Sequence, residues 1–111
     1  MAKWREMDED FYREPVDARY ASLERVLTLA LDQASSGKGA ERHGGGKPFD
    51  CQPMMEISRM LNGSPVGCMY QAMKKTQEAS RMDNDAARRE LLGAINYLAG
   101  AYLLLEEMAE T

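Results

Sequence analysis

Two cysteines and one histidine in 111 residues set the first limits. Cys51 and Cys68 stand 17 positions apart with no metal-ligand spacing around them. Structural zinc sites need four closely placed Cys or His ligands, so a zinc-organised fold is excluded. A lone histidine, His43, with no evident nucleophile partner argues against Ser-His-Asp or Cys-His chemistry. No catalytic residue, metal or cofactor is expected from this inventory. Long apolar runs are missing too, and a membrane span needs about 18 or more such residues. The start, MAKWREMDEDFY, has no apolar core of a secretory signal. Two reduced thiols, in the cytoplasm of a bacterial host cell, are the expectation.

Positive net charge is also absent. The total is −4, which gives no general affinity for nucleic acid or acidic membranes. Neither is expected as a partner. The distribution is uneven, however. Residues 1–37 carry 5 bases and 8 acids, residues 38–81 carry 7 and 4, and residues 82–111 carry 2 and 6. A basic island therefore sits inside an acidic protein. Strict apolar alternation and β-branched residues are scarce, so no strand is predicted.

What is present is helical periodicity. The chain reads as an all-α protein: a compact helical bundle of about four helices with a long C-terminal helix, expected to be oligomeric. Residues 1–14 form an N-terminal arm, mixing Trp4, Phe11 and Tyr12 with many charges. Residues 15–111 form one helical domain with a Gly-rich basic loop at 37–49. The first helix follows Pro15 and directs Tyr20, Leu23, Leu27, Ala30 and Ala34 to a core before stopping at Gly37. The second, capped by Asp50, carries Met54, Ile57 and Leu61 on one face. Ser64-Pro65 reads as an N-cap followed by proline in the first turn of a third helix. There Val66, Met69, Tyr70 and Met73 point inward, while Lys74, Lys75, Glu78 and Arg81 ride outside.

The last helix, roughly Ala86 to Met108, is apolar on most sides, as a central or interface helix would be. Ala86, Gly93 and Gly100 recur every seven residues beside Ala87, Ala94 and Ala101. A mid-helix glycine costs about 1 kcal/mol relative to alanine, so close packing along this strip is implied. That packing is either within the chain or between two copies. For the second case the interface residues are Gly93, Leu98, Gly100 and Leu105.

The stretch GKGAERHGGGKPF, Gly37 to Phe49, packs five glycines, Lys38, Arg42, His43 and Lys47 into thirteen positions. It is not a Walker A loop, because Glu41 stands where the first glycine is needed and Pro48 where a Ser or Thr would bind magnesium. A dinucleotide fingerprint fails at Arg42. Two readings remain: a slack connection, or a loop whose amides and cations hold phosphate. The candidate ligand-binding set is Lys38, Arg42, His43, Gly44, Gly45, Gly46 and Lys47, with Lys74 and Lys75 in support.

Arg88 to Glu107, RRELLGAINYLAGAYLLLEE, resembles the helix of all-α nucleotide pyrophosphohydrolases that carries E-L-G-D-x-x-x-Y-L-A. Ala94 replaces the magnesium-binding aspartate, and only Glu90 carries over. From Gly37 onward the order of glycine loop, K-P-F, short helix, Q-A-x-K-K and G-A-x-x-Y-L-A helix is similar to small phage-encoded helical proteins. That similarity implies nucleotide metabolism or opposition to host defence. The expected function is capture of a phosphorylated small molecule, such as a nucleotide or nucleotide immune signal. The alternatives are an inhibitor that binds a host protein, and a magnesium-dependent nucleotide hydrolase.

Overall fold

The computed structural model describes residues 15–36 and 45–110. Every regular element among them is helical: α1 (Ala21–Ser35), α2 (Pro53–Met60), α3 (Val66–Ala79) and α4 (Asn84–Glu110), with single 3-10 turns at Ala18–Tyr20 and Phe49–Cys51. The arm at 1–14 lies outside the described residues.

Helix ends follow local chemistry. Asp17 accepts from the Arg19 amide at 2.9 Å and holds a 3-10 turn ahead of α1, so the α-helix begins later than Pro15 suggests. Ser36 closes α1 by donating its hydroxyl to the Asp32 carbonyl at 2.6 Å. Pro53 sits in the first turn of α2, as expected, but Asp50 lies in the preceding 3-10 turn and Gln52 takes the cap position. Asn62 and Gly63, both at positive φ, turn the chain after α2. Ser64 Oγ accepts from the Val66 amide at 3.2 Å at the start of α3. Asp83 accepts the Ala86 amide at 2.9 Å, satisfying a free donor at the start of α4. With 27 residues, α4 is about 40 Å long.

α4 is the spine, and α3 and α1 both pack on it. The core is Met55, Cys68, Ala101 and Leu104, flanked by Met54, Tyr97 and Leu103. Two inward faces differ from expectation. On α3 the buried residues are Cys68, Ala72 and Ala79, whereas Val66, Met69, Tyr70 and Met73 are 43–70% exposed. Small residues on α3 meet Gly93, Ala94, Gly100 and Ala101 of α4, and a stripe of large residues would hold the two helices apart. On α2, Met55 is fully buried and Ile57 and Leu61 are exposed, because this helix reaches α4 through its Met54-Met55 end. On α1 only Ala30 is buried; Tyr20, Leu23 and Leu27 stay half exposed.

The glycines of α4 accept side chains of the same chain rather than a neighbouring backbone. A Cβ built on Gly100 would meet Met54 Cε at 3.0 Å and Cys68 Sγ at 3.4 Å. One built on Gly93 would meet Lys75 Cδ and Cε at 3.2 Å. Leu98 and Leu105 lie on the other side of the helix and are about half exposed.

One polar clasp ties three elements together. Arg59 of α2 donates to both carboxylate oxygens of Glu107 at 2.9 and 3.1 Å, and to the Asp50 carbonyl at 2.7 Å. A bidentate guanidinium-carboxylate pair fixes geometry as well as charge. The pairing raises the Arg59 pKa from its already high value.

Candidate functional site

Two adjoining cavities open where α1 stands off α4. The first, about 610 Å³, lies between the C-terminal end of α1, the 49–54 segment and the N-terminal half of α4. The second, about 590 Å³, is more apolar and is lined by Leu27, Leu31, Ile95 and Ala99 among others. They share Ala34, Phe49, Gln52 and Asn96 in their walls. Asn96 donates to the Ala30 carbonyl at 2.9 Å, joining α1 to α4 between them.

The first cavity has a polar wall built on one face of α4. Glu90, Gly93 and Tyr97 follow at steps of three and four, which stacks them along the helix. Gly93 leaves the space that Lys75 of α3 crosses. The Lys75 ammonium ends 3.4 Å from Glu90 Oε1 and 5.9 Å from the centre of the Tyr97 ring. Both members of the ion pair are about three-quarters shielded, at 27% and 25% exposure. Arg89 lines the same wall and is exposed. Phe49 and Gln52 stand among the remaining walls. Burial raises the Tyr97 phenol above its ordinary pKa of 10.0, so the ring is neutral at physiological pH.

The candidate residues from the loop fall in several places. Lys38, Arg42, His43 and Gly44 lie outside the described residues. Gly45 and Gly46 form a turn with φ of 55° and 79°. Lys47 is engaged with α2: its ammonium donates to Glu56 Oε1 at 2.8 Å, which raises the lysine pKa and lowers that of the glutamate. Its carbonyl accepts from Gln52 at 3.0 Å. Gly46 and Lys47 line the second cavity, while Ser36 lines the first. The segment 37–44 thus leaves the described chain beside one cavity and rejoins it beside the other. Lys74 is exposed and lines neither cavity. Lys75, expected beside it on the outer surface, is instead on the cavity side. Arg81, just past the end of α3, reaches Gln77 at 3.4 Å.

Arg89, Asn96, Tyr97, Phe49 and Gln52 were not in the candidate set. A signal for part of them exists in the sequence. Glu90 and Asn96 bracket Gly93 within two turns, and a glycine between polar residues on an otherwise apolar helix marks an opening.

Among the described residues no group of three or more His, Cys, Asp or Glu is placed to hold a metal ion. Both cysteines are free, Cys51 exposed and Cys68 buried. No helix among the described residues is long and apolar enough to cross a membrane. No family model matches the chain, and neither a curated protein nor a solved structure matches it.

Proposed function

We propose that this protein binds a small phosphorylated molecule bearing a planar ring, a nucleotide or nucleotide-derived signal, in the first cavity, and holds it without reaction. The observation that carries this reading is the wall formed by Lys75, Arg89 and Tyr97 around the space above Gly93. A volume of about 610 Å³ falls in the usual range of ligand pockets, about 300–1,000 Å³. Phosphate competes with Glu90 for Lys75, whose 3.4 Å pairing is long for a charge-assisted hydrogen bond. Arg89 supplies a planar fork beside it. The rings of Tyr97 and Phe49 give a base or sugar apolar surface, and Gln52 offers a directional polar contact. Lys38, Arg42 and His43 lie outside the described residues and stay in the proposed set on their side-chain chemistry alone. Sequestration needs affinity and no catalytic group.

Titration calorimetry with mono-, di- and cyclic nucleotides tests this. Binding is expected for at least one of them, weakened tenfold or more by Lys75→Ala and by Arg89→Ala, each worth about 1.4 kcal/mol or more. Absence of heat for every nucleotide at about 50 µM overturns the reading.

A second reading, inhibition of a host protein, is favoured by the exposed row Val66, Met69, Tyr70 and Met73 on α3. Spacing of i, i+3, i+4 and i+7 is what helix-in-groove recognition uses. Partner capture lost on Met69→Lys and Met73→Lys, yet retained on Lys75→Ala, distinguishes the two. The hydrolase reading finds less support. Glu90 is occupied by Lys75, and Ala94 is buried where the family pattern has its aspartate.

A further inference from the structure

We propose that the outer face of α4 is a two-fold seam on which a second copy of this chain docks antiparallel. This inference stands independently of the ligand. Leu91, Ile95, Leu98, Tyr102 and Leu105 follow one another by alternate steps of four and three. At about 100° per residue they share one narrow face of the helix, opposite Gly93, Gly100 and Leu104. Alternating steps sustained over 15 residues are the pattern of a helix-helix seam, with leucine at every seventh position.

The protomer leaves most of this row uncovered, Ile95 alone being partly buried beside the second cavity. Leu91 is 43% exposed, Leu98 53%, Leu105 52% and Tyr102 65%, all on a helix whose other side is the best-packed part of the molecule. The row alone offers on the order of 400 Å², comparable to the largest apolar patch on a whole monomer, about 300–600 Å². A stable interface requires about 800 Å² per partner. Two helices of this length reach that area once the side chains bordering the row join it.

Charge selects the direction. Arg88 and Glu106 lie on the same flank of the row, 18 residues apart at opposite ends. Both are exposed, as is Glu110 beyond them. In an antiparallel pair centred on Leu98, Leu91 of each copy meets Leu105 of the other. Arg88 then falls between Glu106 and Glu110 of its neighbour. A parallel pair would carry this flank to opposite sides of the seam and leave Arg88 without an acidic neighbour from it. Within its own helix Arg88 pairs only with the exposed Asp85, a contact open to rearrangement.

Sedimentation and cysteine cross-linking on the full chain test the seam. The protein is expected to sediment as a dimer, or as an assembly containing this dimer, at about 50 µM, whereas a monomer at that concentration overturns the proposal. Leu98→Lys sets two ammonium groups face to face at the two-fold axis and is expected to give folded monomers by circular dichroism. An oligomer indifferent to that change overturns it. Should Leu98→Lys fail to fold, the Cys51→Ser background carrying one introduced exposed cysteine, beside the buried Cys68, decides. Leu98→Cys is expected to cross-link to itself, and Leu91→Cys to Leu105→Cys in a mixture. Self-linking of Leu91→Cys without that mixed product overturns the antiparallel arrangement. Arg88→Glu is expected to weaken the assembly several-fold, and adding Glu106→Arg to restore it; failure of the restoration removes the charge argument and with it the assigned direction.

Discussion

α3 and α1 both lie against α4, yet they meet it in different ways. The α3 contact is made by small residues on both sides, and it closes over Met55, Cys68, Ala101 and Leu104. The α1 contact buries one alanine, carries one side-chain-to-carbonyl hydrogen bond from Asn96, and leaves about 1,200 Å³ of cavity beside it. A sequence with many large apolar side chains has thus spent its smallest ones on the tight contact. Close approach of helix axes requires little side-chain volume between them, and the α3–α4 contact meets that condition along several turns.

The largest expected effect falls on the closed side. Leu104→Ala should cost about 2–5 kcal/mol, read from urea or thermal denaturation, because Leu104 is 1% exposed. Leu27→Ala on the open side, at 49% exposure, should cost under about 1 kcal/mol. Similar losses at the two positions would erase the distinction.

Asn96→Ala comes next. It removes the side-chain hydrogen bond from α4 to the Ala30 carbonyl of α1, at a global cost of about 0.5–1.5 kcal/mol. Hydrogen exchange is the sharper measurement: α1 amides should exchange faster in the variant while those of α3 stay protected. Uniform acceleration in both helices would mean that α1 and α3 unfold as one unit.

Gly93→Ala should move stability by no more than about 1 kcal/mol, since the gain in helix propensity opposes the displacement of Lys75. Its methyl would lie 3.2 Å from Lys75 Cδ and Cε. Nucleotide affinity should fall several-fold in calorimetry, as the ammonium leaves its place over Tyr97. Unchanged affinity would place the ligand elsewhere.

The smallest effect is one of pH. Burial, and secondarily the nearby Cys68 thiol, raise the Tyr97 pKa above 10.0. Neutral Tyr97 therefore contributes stability in full below about pH 10, and that contribution fades as pH rises through the raised folded-state value. Tyr97→Phe should show a shallower decline than wild type above about pH 10 in chemical denaturation. Parallel declines would mean that the phenol is as well solvated in the folded state as in the unfolded one.

The four helices were legible in the chain, while their ends shifted by a few residues: α1 begins at Ala21, and Gln52 and Pro65 take the cap positions expected of Asp50 and Ser64. Ser64-Pro65, Asp83 and Asn62-Gly63 act within a few residues of where they stand. The phase of α3 was not legible. Its large apolar row and its small row, Cys68, Ala72 and Ala79, share one period and differ only in direction. Which row turns inward depends on how near α4 comes, and that is a property of two helices together. The misplacement of Lys75 follows directly, since it lies on the small-residue side. The cavity was half legible: the glycines of α4 announced close contact, but their partners proved to be side chains, with Lys75 over one and Met54 and Cys68 over the other. Lys38, Arg42, His43 and Gly44 fall outside the described residues, so that part of the candidate site is carried by the chemistry of the sequence.

The Arg59 clasp gives the molecule a mechanical grain. Tension applied to the chain entering at residue 45 runs through Asp50 and a single guanidinium into the last turns of α4. The opposite anchor, at Ser36, transmits its load along α1, which is held to α4 by the buried Ala30 and the Asn96 bond. A pull on both anchors would therefore meet an ion-paired brace on the α2 side and a single side-chain hydrogen bond with one buried alanine on the α1 side.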